Sequence, residues 1–406
     1  MQQLDVWETI GGGVTAAAGF MAAGVVAGLR ASGRKDICLI VSSEPAAAAG
    51  VFTRNTMAAA PVIVSREHVA TGRLRAIVAN AGNANACTGE RGLRDAQSMA
   101  RETATALGCK PVEVAVASTG VIGVHLPIEM VTRGIAEAVG ELDSNAGSDA
   151  AEAVMTTDTF PKETAVAFTV GGERCAMGGL AKGAGMIRPD MATMLSFVTT
   201  DAALSPAAAD AALRSAVAMT FNRISIDGDT STNDMVLFLA NGAAGGDIID
   251  VGDPDLDVVT AALTHVCGEL ARMIVRDGEG ATKLVTVTVR GAVSMSDAEK
   301  AAFAIAESPL VKTALYGQDA NWGRVAMAIG KSGAAVDAST VEIAFAGITT
   351  CVNGMAVAFD EVEASAALAE DEVEVLVDLH AGDGEATVWT CDLTHDYIRI
   401  NADYRS

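Results

Sequence analysis

Residues 181–200 read AKGAGMIRPDMATMLSFVTT, a stretch that changes character half-way along. Its first part sets glycines and a lone Lys182 ahead of Arg188-Pro189-Asp190, the chemistry of a polar, turn-rich loop. Its end, MLSFVTT (194–200), is apolar and β-branched and predicts a strand. Ser205-Pro206 then reads as the N-cap and first residue of an Ala-rich helix to about Met219. A Gly-bearing loop feeding a strand, followed by a covering helix, predicts sheets with helices laid over them.

The same style extends in both directions. Strands are predicted at ICLIV (37–41), PVIVS (61–65), AIVAN (76–80), VEVAVAS (112–118) and TAVAFTV (164–170), with a helix from Leu93 to Leu107 closed by Gly108. Downstream come MVLFLA (235–240), a helix from about Asp255 to Val275, and LVTVTVRG (284–291). A capping box from Ser296 to Glu299 opens another helix. The last strands are VEIAFAG (341–347), EVEVLVDL (372–379) and ATVWTCDL (386–393).

Composition narrows the function. Among 406 residues, 28 Lys and Arg stand against 51 Asp and Glu, so the net charge of −23 argues against coating a phosphate backbone. Seven cysteines are scattered with no CxxC, which argues for reduced thiols used as small core fillers, and against a disulfide framework or zinc site. The uncharged stretch 11–29 has the length of a membrane span but is built of Ala and Gly, and it follows acidic residues where a signal peptide carries basic ones. A cytoplasmic protein is expected. Half the residues are hydrophobic, enough for two domain-sized units or one large layered one.

Familiar catalytic patterns are missing. There is no GxSxG, and the five histidines stand alone, each reading as a surface or satisfied core residue. GRVAMAIGKS (323–332) looks like a phosphate loop, but six residues separate its glycines where that loop has four. What stands out is seven small, polar, Gly-bearing segments: NAGNANACTG (80–89), ASTGVIG (117–123), MTTDT (155–159), AKGAGMIRPDMATMLSF (181–197), DGDTSTND (227–234), DGEGATK (277–283) and YGQDANWGR (316–324). One such segment is a tight turn; seven predict loops gathered around one polar site.

These segments, with VFTRN (51–55) and the C-terminal INADYRS, make the chain resemble the ornithine acetyltransferase / glutamate N-acetyltransferase family of arginine biosynthesis over nearly its whole length. The resemblance implies a layered α/β sandwich of α-β-β-α type, belonging to self-cleaving enzymes with an N-terminal threonine nucleophile. It places the cleaved bond between Ala192 and Thr193, giving chains 1–192 and 193–406 that assemble as an α2β2 heterotetramer. Thr193 becomes the nucleophile, with its freed α-amine as base. Thr119 and the Gly120 N–H become the oxyanion hole. Thr156, Lys182, Thr193, Glu279, Asn401 and Ser406 become the substrate contacts; many members end in Thr where this chain has Ser406.

The implied reaction is ping-pong acetyl transfer from N2-acetylornithine to glutamate, without a cofactor. Acetyl-CoA is an additional donor in bifunctional members, and the sequence leaves that choice open. Lys182, if close, is expected to depress the Thr193 amine by like-charge repulsion. The alternatives are a related self-cleaving aminopeptidase or amidohydrolase using water as acceptor, and a non-catalytic amino-acid-binding protein.

Overall fold

The computed structural model describes residues 7–188 and 194–403. Strands β1 (Glu8–Ile10), β2 (Phe20–Val25) and β3 (Ile37–Phe52) open the chain, and helix α1 (Ala60–Val69) leads to β4 (Arg73–Asn83). Then come α2 (Gly89–Leu107), β5 (Val114–Val121), α3 (Ile128–Gly140), α4 (Gly147–Ala153) and the hairpin β6 (Lys162–Val170) with β7 (Glu173–Lys182). Beyond position 193 lie β8 (Leu195–Thr200), α5 (Pro206–Met219), β9 (Met235–Ala240) and α6 (Asp255–Arg276). The last stretch holds β10 (Leu284–Ala292), α7 (Met295–Ala306), α8 (Pro309–Tyr316), α9 (Trp322–Gly330), β11 (Glu342–Phe345) and β12 (Ile348–Val352). It closes with β13 (Met355–Ala356), α10 (Glu361–Ala367), β14 (Glu372–Asp378), β15 (Gly384–Cys391) and α11 (His395–Asp403).

The long strand β3 makes the sandwich. Its first half pairs with β2 on one side and β4 on the other, and after an irregularity between Val41 and Ala46 its second half pairs with β9. One layer is thus β2, β3, β4 and β5, and the other runs β1-β6-β7-β8-β9-β3. Period-2 alternation assigns the faces. Cys38, Ile40, Ile77, Ala79 and Ala117 meet Leu195, Phe197, Leu237 and Leu239 in the core between the layers. Their alternates face outward: Leu39, Val78 and Val116 against Met99 of α2 and Ile135 of α3, and Val198, Val236 and Phe238 against Leu213 of α5 and Leu263 of α6. This is the helix-sheet-sheet-helix order that the resemblance implies.

Strands from before and after position 193 share one sheet, because β7 pairs antiparallel with β8 and β8 parallel with β9. Residues 284–391 form a separate sheet, ordered β13-β12-β11-β14-β10-β15. Val285, Val287, Val375 and Val377 pack against Ala298, Ala302 and Ile305 of α7 as a core of their own. This core stands apart from the three apolar clusters of the sandwich.

Several local expectations change. PVIVS lies in helix α1, not a strand. Pro61 sits in the helix's first turn, where its missing N–H costs nothing and its φ is preset. Ser65 explains the docking: its hydroxyl donates to the Val116 carbonyl at 2.6 Å and accepts from the Val116 N–H at 2.7 Å, covering β5. The cap of α7 is Ser294, whose hydroxyl accepts from the Asp297 N–H at 3.1 Å, because the chain leaves β10 still extended there. GRVAMAIGKS belongs largely to helix α9, so it is no phosphate loop. Residues 11–29 carry a short 3-10 turn and β2, not a membrane helix. Among the described residues only α6 is long and apolar enough to cross a membrane, and half of that stretch is buried in the core. Cys87 is exposed and Cys109 half-buried, while the other five cysteines are buried as expected.

Candidate active site

Where the sandwich strands end, a cavity of about 130 Å³ opens. That is roughly ten times the 10–15 Å³ a single water needs, room for a small polar molecule. Its wall includes Ala84 after β4, Thr119 and Gly120 at the end of β5, Thr156 before β6, and Lys182 at the end of β7. Met194 and Leu195 at the start of β8, Asn233 and Asp234 before β9, Glu279 after α6 and Asn401 of α11 complete it. Six of the seven Gly-bearing segments therefore meet here. The seventh, YGQDANWGR, joins α8 to α9, where the Asn321 side chain caps α9 by accepting from the Arg324 N–H.

Of the residues singled out in the sequence, Thr119, Gly120, Thr156, Lys182, Glu279 and Asn401 are brought together around this cavity. Ala192, Thr193 and Ser406 lie outside the described residues. Met194, to which position 193 is joined, is in the wall. None of the histidines lines it; His68 Nδ1, for one, lies 2.7 Å from the Val114 carbonyl oxygen in the α1 packing.

Each wall has a local cause. Gly120 has φ +131°, and a Cβ there would stand 2.4 Å from the Gly82 carbonyl carbon. Only glycine lets β5 and β4 run so close. Asn233 Nδ2 donates to the Ala84 carbonyl at 2.6 Å and the Ser118 carbonyl at 2.8 Å, tying three loops. Asn401 Nδ2 donates to Glu279 Oε2 at 2.7 Å. Glu279 can lie against the KGAG backbone because a Cβ on Gly185 would fall 2.5 Å from its carboxylate.

Lys182 is buried, and its ammonium donates to Thr119 Oγ1 at 3.2 Å, so the Thr119 hydroxyl proton is directed elsewhere. Burial pushes Lys182 below the ordinary lysine range; Lys162 adds to this, and Asp158, Asp234 and Glu279 oppose it.

Behind the wall is a group that the sequence reading missed. Lys162 is fully buried, its ammonium 2.7 Å from Asp158 Oδ1 and 2.5 Å from Asp277 Oδ2. Asp158 also accepts from the Thr156 N–H at 2.8 Å and the Gly183 N–H at 2.7 Å, and Asp277 from the Thr159 N–H at 2.9 Å. The trio thus anchors the MTTDT, KGAG and DGEG segments to one another. Asp158 and Asp277 stood inside quoted segments; Lys162, two residues ahead of a predicted strand, gave no signal. Asp234 was likewise quoted only as part of DGDTSTND, yet it is 2% exposed with burial raising it well above the usual carboxylate range.

Residues 21–406 match the ArgJ family. The chain belongs to the ArgJ family. It is 54% identical over 401 residues to the arginine biosynthesis bifunctional protein ArgJ of Symbiobacterium thermophilum, covering 98% of this chain and all of that one. The ArgJ of Caldanaerobacter subterraneus subsp. tengcongensis is 49% identical over 403 residues, covering 98% and 100%. A crystal structure of ArgJ from Bacillus halodurans matches with a TM-score of 0.51 at 49% identity, covering 52% of this chain and 100% of that one. The membership and the layered ArgJ fold expected from the motifs are both borne out.

Proposed function

We propose that this ArgJ family member is a self-cleaving acetyltransferase of arginine biosynthesis. It cuts its own chain between Ala192 and Thr193, then carries acetyl groups from N2-acetylornithine to glutamate on Thr193, yielding ornithine and N-acetylglutamate. The observation that carries this reading is the single cavity joining Thr119, Gly120, Thr156, Lys182, Glu279 and Asn401 to Met194. The solved Bacillus halodurans chain supports the cleavage: its full length spans 52% of this chain, close to the 406 − 192 = 214 residues that follow position 192.

The geometry suits acyl transfer. Thr193 attacks the acetyl carbonyl while its own α-amine takes the hydroxyl proton, so no histidine is needed. The Gly120 N–H and the Thr119 hydroxyl, freed to donate by the Lys182 contact, face the developing oxyanion. Lys182 and Glu279 offer one charge of each sign for the carboxylate and ammonium of an amino acid, with Asn401 bracing Glu279 and Ser406 following five residues after Asn401. Ornithine leaves with the proton the amine has taken, and glutamate's amine then attacks acetyl-Thr193. Acetyl-CoA as a second donor, a cofactor-free reaction, α2β2 assembly of the two chains and a cytoplasmic location complete the reading.

The test is a denaturing gel and two assays. The wild-type chain should give fragments of 192 and 214 residues, Thr193→Ala none, and the cleaved enzyme should make N-acetylglutamate from acetylornithine and glutamate. Transfer from acetyl-CoA decides bifunctionality. Free acetate without N-acetylglutamate would favour the hydrolase, and a chain that stays whole would refute the nucleophile.

A further inference from the structure

Strand β5 is the last in its sheet, so one of its edges has no strand beside it. Such an edge carries backbone groups that need partners from elsewhere. Three side chains supply them in turn. His68 Nδ1 lies 2.7 Å from the Val114 carbonyl oxygen, the Ser65 hydroxyl holds both backbone groups of Val116, and Asn233 Nδ2 donates to the Ser118 carbonyl at 2.8 Å. The spacing of two residues follows the repeat of the strand. His68 and Ser65 belong to α1, whereas Asn233 reaches across from the segment before β9, in the other layer. Beyond it the strand has only Thr119, Gly120 and Val121 left to run.

Pairing with β4 does not by itself fix that end. The register with β4 shifts at Gly82–Asn83, beside the Gly82–Gly120 pair, and Gly120 has φ +131° in the residue type with the freest backbone. An oxyanion donor requires the opposite, because it acts by standing in place before charge develops. The restraint comes through Ser118, which is fully buried. Its hydroxyl donates to Asn80 Oδ1 at 2.6 Å while its carbonyl accepts from Asn233. With Thr119 Oγ1 held by Lys182, both residues ahead of Gly120 are tied.

Asn233 is built to hold. It is 5% exposed, its two amide hydrogens go to the Ala84 and Ser118 carbonyls, and its Oδ1 accepts from Thr232 Oγ1 at 2.7 Å. Its own segment is anchored on both sides, since the Ala59 N–H donates to the Thr232 carbonyl and the Thr53 N–H to the Asp234 carbonyl, each at 2.9 Å.

We infer that Asn233 is the positioning residue of the oxyanion site: its grip on the Ser118 carbonyl, made from the opposite layer, holds the Gly120 N–H where an acetyl carbonyl oxygen takes on negative charge. It acts through Gly120. The inference rests on the acetyl-transfer reading above.

The experiment compares wild type, Asn233→Leu, Asn233→Ala, Gly120→Ala and the two double variants, with circular dichroism confirming each fold and rates taken per cleaved chain. Asn233→Leu keeps the side chain's bulk and removes its hydrogen bonds; Asn233→Ala leaves room for water to meet the freed carbonyls and serves where the leucine chain does not fold. A displacement of about 1 Å costs about 10²-fold in rate, so kcat for transfer from acetylornithine to glutamate should fall by about that factor. The Kd of ornithine, which has no acetyl group and asks nothing of an oxyanion donor, should change by less than about threefold. In the Gly120→Ala background the Asn233 change should cost less than about threefold, because two residues acting on one donor are not additive. A general loosening of the fold would weaken ornithine binding and lower kcat equally in both backgrounds. Wild-type kcat in the Asn233 variants, a parallel loss of ornithine affinity, an equal loss in the Gly120→Ala background, unfolding of both variants, or a folded variant that stays uncut overturns the inference and leaves the transfer reading standing. A wild-type enzyme that transfers no acetyl group overturns that reading and the inference with it.

Discussion

Replacing Lys162 by methionine tests how the cavity is held in shape. The side chain keeps its length and loses its charge, in a site where the ammonium is fully buried 2.7 Å from Asp158 and 2.5 Å from Asp277. Two carboxylates are left with no cation between them. At an effective dielectric of about 20, unit charges some 4 Å apart interact by about 4 kcal/mol. Removing one member of a buried pair costs about 3–5 kcal/mol in measured cases. The expected loss of folding free energy at pH 7 is thus about 3–5 kcal/mol, read by urea denaturation followed by circular dichroism. Both chains should carry Thr193→Ala, so that two uncut chains are compared.

The pH dependence separates this mechanism from a packing defect. Burial raises Asp158, but the charges of Lys182 and Lys162, the Lys162 hydrogen bond and the Thr156 N–H outweigh it and hold the carboxyl well below its usual range. A depressed native pKa contributes stability above the unfolded value of about 3.9, and that contribution fades as pH falls toward the native value. Without Lys162 part of the depression is gone. The wild-type advantage should therefore be full at pH 7 and shrink once pH drops below about 4. A loss under about 1 kcal/mol, or a difference that does not change with pH, would refute the account, since a missing methylene contact has no titration.

Three further outcomes test the site. Gly120→Ala places a Cβ 2.4 Å from the Gly82 carbonyl carbon and disturbs the oxyanion donor, so kcat for acetyl transfer should fall about 10²–10³-fold; unchanged kcat would remove Gly120 from that role. Glu279→Gln should raise KM for the amino-acid substrates about tenfold with a smaller change in kcat, the loss of one charge-assisted contact, and steady-state kinetics showing the reverse split would contradict a binding role. Lys182→Met removes a cation that favours the free-base form of the Thr193 amine, so the pKa at which activity rises with pH should move upward; a pH–rate profile with that limb unmoved would exclude Lys182 from tuning the amine.

How much of this was legible in sequence depends on whether a residue's partner is near in the chain. The cavity walls were legible because glycines and hydroxyls clustered within ten residues state their own purpose: Gly120 and Gly185 stand where any side chain would collide. Strand β8 was legible because its alternation faces two apolar layers at once. PVIVS was misread because β-branched residues predict strands only when no better surface exists, and here α1 lays Val62 and Val64 on two different cores while Ser65 secures β5. Lys162 gave no sign, because Asp158 is four residues away but Asp277 is 115, and only the fold brings the second carboxylate to the first. The same holds for Asp234, whose burial exists only once the strands on either side have been paired. If the chain is cut at Ala192-Thr193, the Asp158–Lys162–Asp277 bridge joins the two products as the β7–β8 pairing does, so one buried charge set would shape the cavity and hold the cleaved chains around it.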